Sequence, residues 1–157
     1  VAFGQKHAKQ LSRLSDLADT ALRPFDEAQQ TLVKALESKS ALRRYWALKV
    51  CSNFGKKAKP LTLNAMPLLK DNNLMVRVRA AEFLGSINAI DPMPTLYSVV
   101  NNAETEQALM IAFNTIVYLR DQVGHIYDPE KVKLKFKKGE VYRRVQYLAG
   151  TEPNTNY

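Results

Sequence analysis

The stretch MPLLKDNNLMVRVRAAEFLGSI, residues 66–87, decides the fold because its second half recurs along the chain. The segment RYWALKVCSNF (44–54) has the same helical pattern of apolar residues as RVRAAEFLGSI (77–87), at an offset of 33 residues. A third copy follows about 32 residues later, with Ala112, Ile116 and Leu119 at the apolar positions. A single helix pair cannot bury such a stripe, but stacked pairs share one core. The sequence therefore predicts an all-α fold of stacked helix pairs.

Apolar spacing and helix-end signals divide the chain into successive units. Val132, Leu134 and Phe136 alternate with lysines, which is strand spacing, yet the sequence shows no partner strand. We therefore expect a short irregular segment there, before a last helix over 140–148. We interpret 1–157 as a single helical repeat domain taken from a longer chain. Its predicted units are a leading helix, three helix pairs and a terminal cap, over 5–22, 26–55, 58–88, 92–120 and 128–149.

The amino-acid composition limits the classes of partner that the chain could bind. The chain has 157 residues, and 23 basic against 15 acidic residues give a net charge of +8. This charge is compatible with nucleic acid, a sulfated glycan or an anionic membrane, but the explanation that we prefer is a soluble protein with surplus lysines. The single cysteine excludes an internal disulfide and a cysteine-based zinc site. No apolar run is long enough to span a bilayer, so we expect no membrane partner.

The rare residues of the chain lie together in ALRRYWALKVCSNFG, residues 41–55. Cys51 could be a nucleophile beside an anion-binding arginine pair. However, the two histidines lie at opposite ends of the chain, and Cys51 aligns with Leu84 of the next copy. We therefore predict that Cys51 is a buried core residue. The sequence contains no recognisable catalytic, metal or cofactor-binding motif, so we expect this segment to be non-enzymatic and without a cofactor.

A candidate interaction surface follows from the polar positions beside the apolar stripe. Trp46 aligns with Arg79, which places the position at the edge of the stripe, where exposure is tolerated. One interpretation is that Trp46 and the neighbouring arginines recognise a ligand. The interpretation that we prefer is that Trp46 packs against the protein and that the arginines pair with local acids and turn carbonyls. The candidate surface consists of Arg43, Arg44, Trp46, Arg77 and Arg79.

The stretch 66–87 resembles a HEAT repeat, which has an aspartate in the turn, Val-Arg entering the second helix, and small and large apolar residues after it. Ser38 stands where the earlier copy would have the aspartate. The resemblance implies a HEAT-like or armadillo-like α-α superhelix of about three to four helix pairs. An aspartate in the turn can accept hydrogen bonds from amides at the next helix start, and the arginine can reach turn carbonyls or carboxylates of neighbouring repeats. The matching residues are Asp71, Val76, Arg77, Ala80, Ala81 and Leu84.

Residues 26–150 also resemble the helical C-terminal extension of bacterial sulfatases. The shared features are RYWA at 44–47, Gly55 with Ala58, AAE-x-LG at 80–85, and the tail KFKKGEVYRRVQYLAG. The resemblance implies an accessory module whose parent is a sulfatase, with a catalytic domain before Val1 that carries a formylglycine made within C/S-x-P-x-R and a calcium ion. That motif is not in this sequence. The implied partners are the catalytic domain and an acidic or sulfated glycan, and the implied location is periplasmic or extracellular.

Two other functions remain open from the sequence. Some HEAT-like proteins are DNA glycosylases, and this reading needs Arg77, Arg79, Trp46 and Asp71 together in a basic groove. A HEAT-like enzyme such as a bilin lyase is the other, but the sequence shows no clustered acid, base or nucleophile for it. We consider nucleic acid the less favoured partner.

Overall fold

The computed structural model describes residue 12 and residues 14–133 and 139–151. Within these residues all regular structure is helical and no strand is present, which confirms the predicted all-α class for this part of the chain. None of the helices described is both long and apolar enough to cross a bilayer. The α-helices are α1 Phe25–Leu36, α2 Ala41–Phe54, α3 Thr62–Ala65, α4 Leu74–Ser86, α5 Met93–Asn102, α6 Glu106–Tyr118 and α7 Gly139–Leu148.

The connection between α2 and α4 consists of short helical pieces. Gly55 ends α2 with a φ of 54°, a conformation that glycine adopts without strain. The 3-10 helices Gly55–Leu61 and Met66–Lys70 then flank α3. Pro60 and Pro67 lie within these pieces, and proline cannot donate the backbone hydrogen bond that a continuous helix needs. The first helix of the predicted pair 58–88 is therefore broken.

The two ends of the chain are described only in part. Residues 14–19 are helical and lead into a 3-10 turn at Thr20–Leu22, while most of the rest of the predicted helix 5–22 lies outside the described residues. The predicted irregular segment after Pro129–Lys131 is described only at Val132 and Lys133, so the remaining lysines of that run also lie outside. The predicted final helix 140–148 is present as α7.

Capping residues define where α2, α4 and α6 begin. Ser40, Asn73 and Thr105 precede these helices, and each side chain accepts a hydrogen bond from a first-turn amide. Asn73 is the most effective of them, because its side-chain oxygen accepts from the amides of Met75 at 2.9 Å and Val76 at 3.3 Å. These three helices are the second members of the predicted pairs, so local sequence signals set the same starting point in each copy.

Helix α4 lies at the centre of the fold. Its face with Phe83 and Leu84 packs into a core shared with α1 and α2, and its face with Val78 and Ala81 packs into a second core shared with α5 and α6. Most helices contact the helix before and the helix after them in the chain. Helix α4 also contacts α2 and α6, which are the second helices of the neighbouring pairs. Helix α4 is therefore the element that joins the two cores.

The closest packing at this centre involves Gly85. A β-carbon at this position would lie 2.7 Å from Cγ of Pro92 and 3.1 Å from Cδ2 of Leu119. These distances are shorter than ordinary carbon contacts, so only glycine allows α4 to approach the start of α5 this closely.

Candidate functional site

Arg44 forms a clamp between two turns of the chain. Its Nε and Nη2 donate to the Asp71 carboxylate at 2.6 and 2.9 Å, and its Nη1 donates to the Ser38 carbonyl at 2.7 Å. The same carboxylate accepts from the Asn73 amide at 2.8 Å, just before α4 begins. The predicted pairing with an acid and a turn carbonyl is thus confirmed for Arg44, and this guanidinium is occupied within the fold.

The charge of Asp71 is stabilised by this arrangement. Burial acts to raise its pKa, but the hydrogen bonds from Arg44 and from the Asn73 amide, with the charge of Arg77, outweigh burial and hold the pKa below its ordinary value. Arg77 therefore acts on Asp71 through its charge. The Nε atom of Arg77 is buried and has no hydrogen-bond partner among the described residues.

Trp46 and Arg79 meet at a common neighbour, Tyr45. The guanidinium carbon of Arg79 lies 5.2 Å from the centre of the Tyr45 ring, and the rings of Tyr45 and Trp46 lie 6.0 Å apart, edge to face. Trp46 packs on this neighbour yet stays 38% exposed. Arg79 also forms an ion pair with Glu82. Arg43, the remaining member of the candidate surface, is half-buried and its Nε has no partner within the described part of the chain.

The structure therefore separates the candidate surface into two groups. Arg44 and Arg77 are associated with Asp71 at the turn before α4, whereas Trp46 and Arg79 are associated with Tyr45.

Cys51 is a core residue, as predicted. Its side chain has 0% exposure, and burial raises the pKa of its thiol to about 12. A thiol with this pKa is almost entirely protonated near neutral pH and is therefore a poor nucleophile. Among the described residues, no group of three or more His, Cys, Asp or Glu side chains is placed to hold a metal ion.

A polar ladder across three helices was missed by the sequence analysis. Lys49 of α2 donates to Glu82 of α4 at 3.3 Å, and Thr115 of α6 donates to the same carboxylate at 3.1 Å. Each of these two contacts joins residues 33 positions apart. Glu82 is only 8% exposed, and the ion pair with Arg79 gives its carboxylate a third donor. Residues of α2, α4 and α6 thus form a continuous chain of hydrogen bonds.

This ladder forms the floor of a groove of about 410 Å³ between α2, α4 and α6. Basic side chains line the α2 and α4 side, and Ile111 and Tyr118 line the α6 side. The exposed carboxamides of Asn53 and Asn114 also line it, one from α2 and one from α6. The groove combines positive charge, uncharged hydrogen-bonding groups and an aromatic surface, which is the composition of a site for a polar ligand.

The repeat alignment contained the signal for the ladder. Placing 44–54 on 77–87 sets Lys49 on Glu82, so opposite charges occupy the same position of adjacent copies. The apolar positions of the alignment alone do not connect Lys49 with Glu82.

Two of the four residues that the nucleic-acid reading requires are engaged elsewhere. Asp71 is held by Arg44, and Arg79 is paired with Glu82. Among the described residues, no hydrogen bond or ion pair joins Asp71 to Trp46 or to Arg79.

No protein family, no curated protein and no solved structure with which the chain was compared matches it.

Proposed function

We propose that this chain is a non-catalytic interaction module of stacked HEAT-like helix pairs that form an α-α superhelix. The ladder of Lys49, Glu82 and Thr115 is the main support, because stacked repeats bring the second helices of successive units side by side, where their side chains can bond to one another. The Arg44–Asp71 clamp supports the proposal too, since it joins the turn preceding one unit's second helix to that of the next unit.

We further propose that the module is the C-terminal accessory domain of a sulfatase-family hydrolase that acts on sulfate esters. The support for this step is the sequence resemblance described above. The parent would then be a periplasmic or extracellular enzyme, and the catalytic domain would be the module's main partner. The contact would use the apolar hollow of about 310 Å³ lined by Leu42, Tyr45 and Met75, because Leu42 and the neighbouring Trp46 keep 42% and 38% exposure.

Sequencing the coding region upstream of Val1 tests the sulfatase step. We expect a C/S-x-P-x-R motif within the preceding few hundred residues. A coding region without this motif over that length would contradict the link to sulfatases.

The docking surface is tested in the full-length protein by limited proteolysis. Leu42→Ser should accelerate cleavage between the catalytic domain and the module, because Leu42 lines the hollow and the substitution removes an exposed apolar contact. Leu63→Ser is the matched control, since Leu63 is 79% exposed and does not line the hollow. Equal cleavage rates in the wild type and the Leu42 variant would contradict the proposed contact.

The alternative is a basic HEAT-like nucleic-acid-binding protein of the DNA-glycosylase type, which is supported by the net charge of +8. Duplex DNA binding at increasing salt distinguishes the two functions. A steep loss of affinity between low and moderate salt would favour the alternative, because phosphate contacts release counterions. Weak affinity that does not change with salt would exclude it.

A further inference from the structure

The groove above the ladder contains more positive than negative charge. Lys49 and Arg79 share the single carboxylate of Glu82, so the three side chains sum to one positive charge. Lys49 is the less engaged cation: its ammonium lies 3.3 Å from the carboxylate, and its side chain is 36% exposed, against 14% for Arg79. An ammonium has three N–H donors, so one contact with Glu82 leaves donors for a ligand.

The other groups of the groove add neutral hydrogen bonding. Asn53 and Asn114 are exposed, and their carboxamides have no hydrogen-bond partner among the described residues. Each carboxamide offers both donors and acceptors. Ser52 and Ser86 donate their hydroxyl hydrogens to carbonyls of their own helices, which leaves their oxygens as acceptors toward the groove.

The α6 side provides a surface for a ring. Tyr118 is 43% exposed, and Ile111, which also lines the groove, is half-buried. The aromatic ring of Tyr118 offers an apolar face against which the C–H face of a sugar ring can pack. Near this surface, the groove also has hydrogen-bonding groups that match the hydroxyls at the edge of a sugar.

We infer that this groove binds an acidic saccharide, a hydroxylated ring that carries a carboxylate or a sulfate group. The oxyanion contacts Lys49, the ring face packs on Tyr118, and the hydroxyls bond to Asn53 and Asn114. A neutral sugar would leave the positive charge uncompensated, and an apolar ligand would leave the carboxamides unpaired. A volume of about 410 Å³ is near the lower end for small-molecule sites, so the bound part is limited to one or two rings.

This inference rests on the proposed function only in treating the chain as a binding module, and the groove shares no lining residue with the hollow proposed to contact the catalytic domain. It does not require a sulfatase parent, so the upstream coding sequence and the binding experiment can fail independently.

The test is a titration of the chain with four probes, followed by chemical-shift changes in NMR and by calorimetry. The probes are glucose 6-sulfate, glucuronic acid, glucose and inorganic sulfate. Each acidic sugar should bind about ten-fold or more tightly than glucose and than inorganic sulfate, because a charge-assisted hydrogen bond and ring packing then act together. The shifted amides should belong to α2, α4 and α6.

Variants assign the effect to the groove. Lys49→Gln should weaken the binding of both acidic sugars about ten-fold, to the level of glucose, and Tyr118→Ala should weaken all three sugars. Asn114→Asp adds a carboxylate at an exposed position and should weaken the acidic sugars while the fold is retained. Lys56→Gln is the matched control, because Lys56 is exposed and does not line the groove.

Three results would overturn the inference. Equal affinity for glucose and the acidic sugars would exclude the oxyanion contact, and equal affinity for inorganic sulfate would exclude the saccharide contact. Absence of binding by every sugar at tens of millimolar would exclude the site.

Discussion

Arg44 and Asp71 form two parallel hydrogen bonds, of 2.6 and 2.9 Å, that link α2 to the turn before α4. The side chains are only 16% and 5% exposed, so this ion pair is largely shielded from water. The third bond of Arg44, to the Ser38 carbonyl, extends the link to the turn before α2. The clamp therefore fixes the spacing of two turns that are far apart in the sequence.

We expect Asp71→Ala to lower the free energy of unfolding by about 2–3 kcal/mol, because Arg44 then loses its counter-charge while it remains mostly buried. Urea denaturation measures this change. The control is Glu140→Ala, which removes an ion pair with Arg143 whose side chains are 67% and 63% exposed. The control should change stability by no more than about 0.5 kcal/mol. Similar losses in the two variants would show that the clamp contributes no more than a surface pair.

The pKa of Asp71 predicts how stability depends on pH. The folded-state pKa lies below the ordinary value of 3.8, so the unfolded chain binds the proton first as the pH falls. The stabilisation is therefore complete above about pH 4–5 and is lost as the pH falls through the folded-state value. Denaturation curves between about pH 5 and 3 should fall more steeply for the wild type than for Asp71→Asn. Parallel curves would contradict the contribution of Asp71.

Gly85→Ala should destabilise the protein by about 1–3 kcal/mol, because its β-carbon would overlap the Pro92 ring, whose Cγ would be 2.7 Å away. Thermal and urea unfolding measure the loss. Pro92→Ala in the Gly85→Ala background should recover part of the loss, since the closest contact is then removed. If the two substitutions add without any coupling, Pro92 is not the obstacle.

The Cys51 thiol should not react with a disulfide reagent at about pH 8 in the native protein and should react readily in denaturant, because it is buried and protonated. Absorbance of the released thiolate follows the reaction. Stability should also fall above pH 9, since the unfolded thiol ionises near 9.0 while the folded one retains its proton to about 12. Rapid modification of the native protein would contradict a core position for Cys51.

Glu82→Gln should destabilise the fold more than Lys49→Gln. The first substitution removes the only carboxylate among the described residues that pairs with Lys49 and Arg79, at a position that is 8% exposed, so we expect a loss of about 2 kcal/mol or more. Lys49 is partly exposed, and its loss should cost about 1 kcal/mol or less. Unfolding in urea compares the two variants, and the reverse order would show that Glu82 is not the centre of the ladder.

Several structural features could be predicted from short stretches of sequence. Helical spacing indicated α2, α4 and α6, and the alignment of Cys51 with Leu84 indicated a buried thiol. The aspartate and arginine pattern anticipated this type of contact for Arg77, but Arg44, which aligns with Arg77 in the preceding copy, is the arginine that bonds to Asp71. Each of these inferences depends on neighbours within a few residues or on one repeat position, which a sequence displays directly.

The candidate surface was less predictable. Five residues were grouped because they lie at similar positions beside one stripe, yet the fold directs Arg44 to a turn and Arg79 to Glu82 and Tyr45. The position of a residue in the sequence shows on which face of a helix its side chain lies. It does not show with which of several nearby acidic residues that side chain will pair.

The sequence by itself determined the helices, their capped starts and the apolar faces that bury Cys51, because periodicity, capping and helix-breaking residues act over a few neighbouring positions. Only the tertiary structure decided that Lys49, Glu82 and Thr115 would join and leave a groove above them. A hydrogen bond forms only when donor and acceptor lie within about 3.5 Å of each other. A bond between residues 33 positions apart in the sequence therefore depends on how closely their two helices pack. That approach is set by the whole core, including the glycine contact at Gly85.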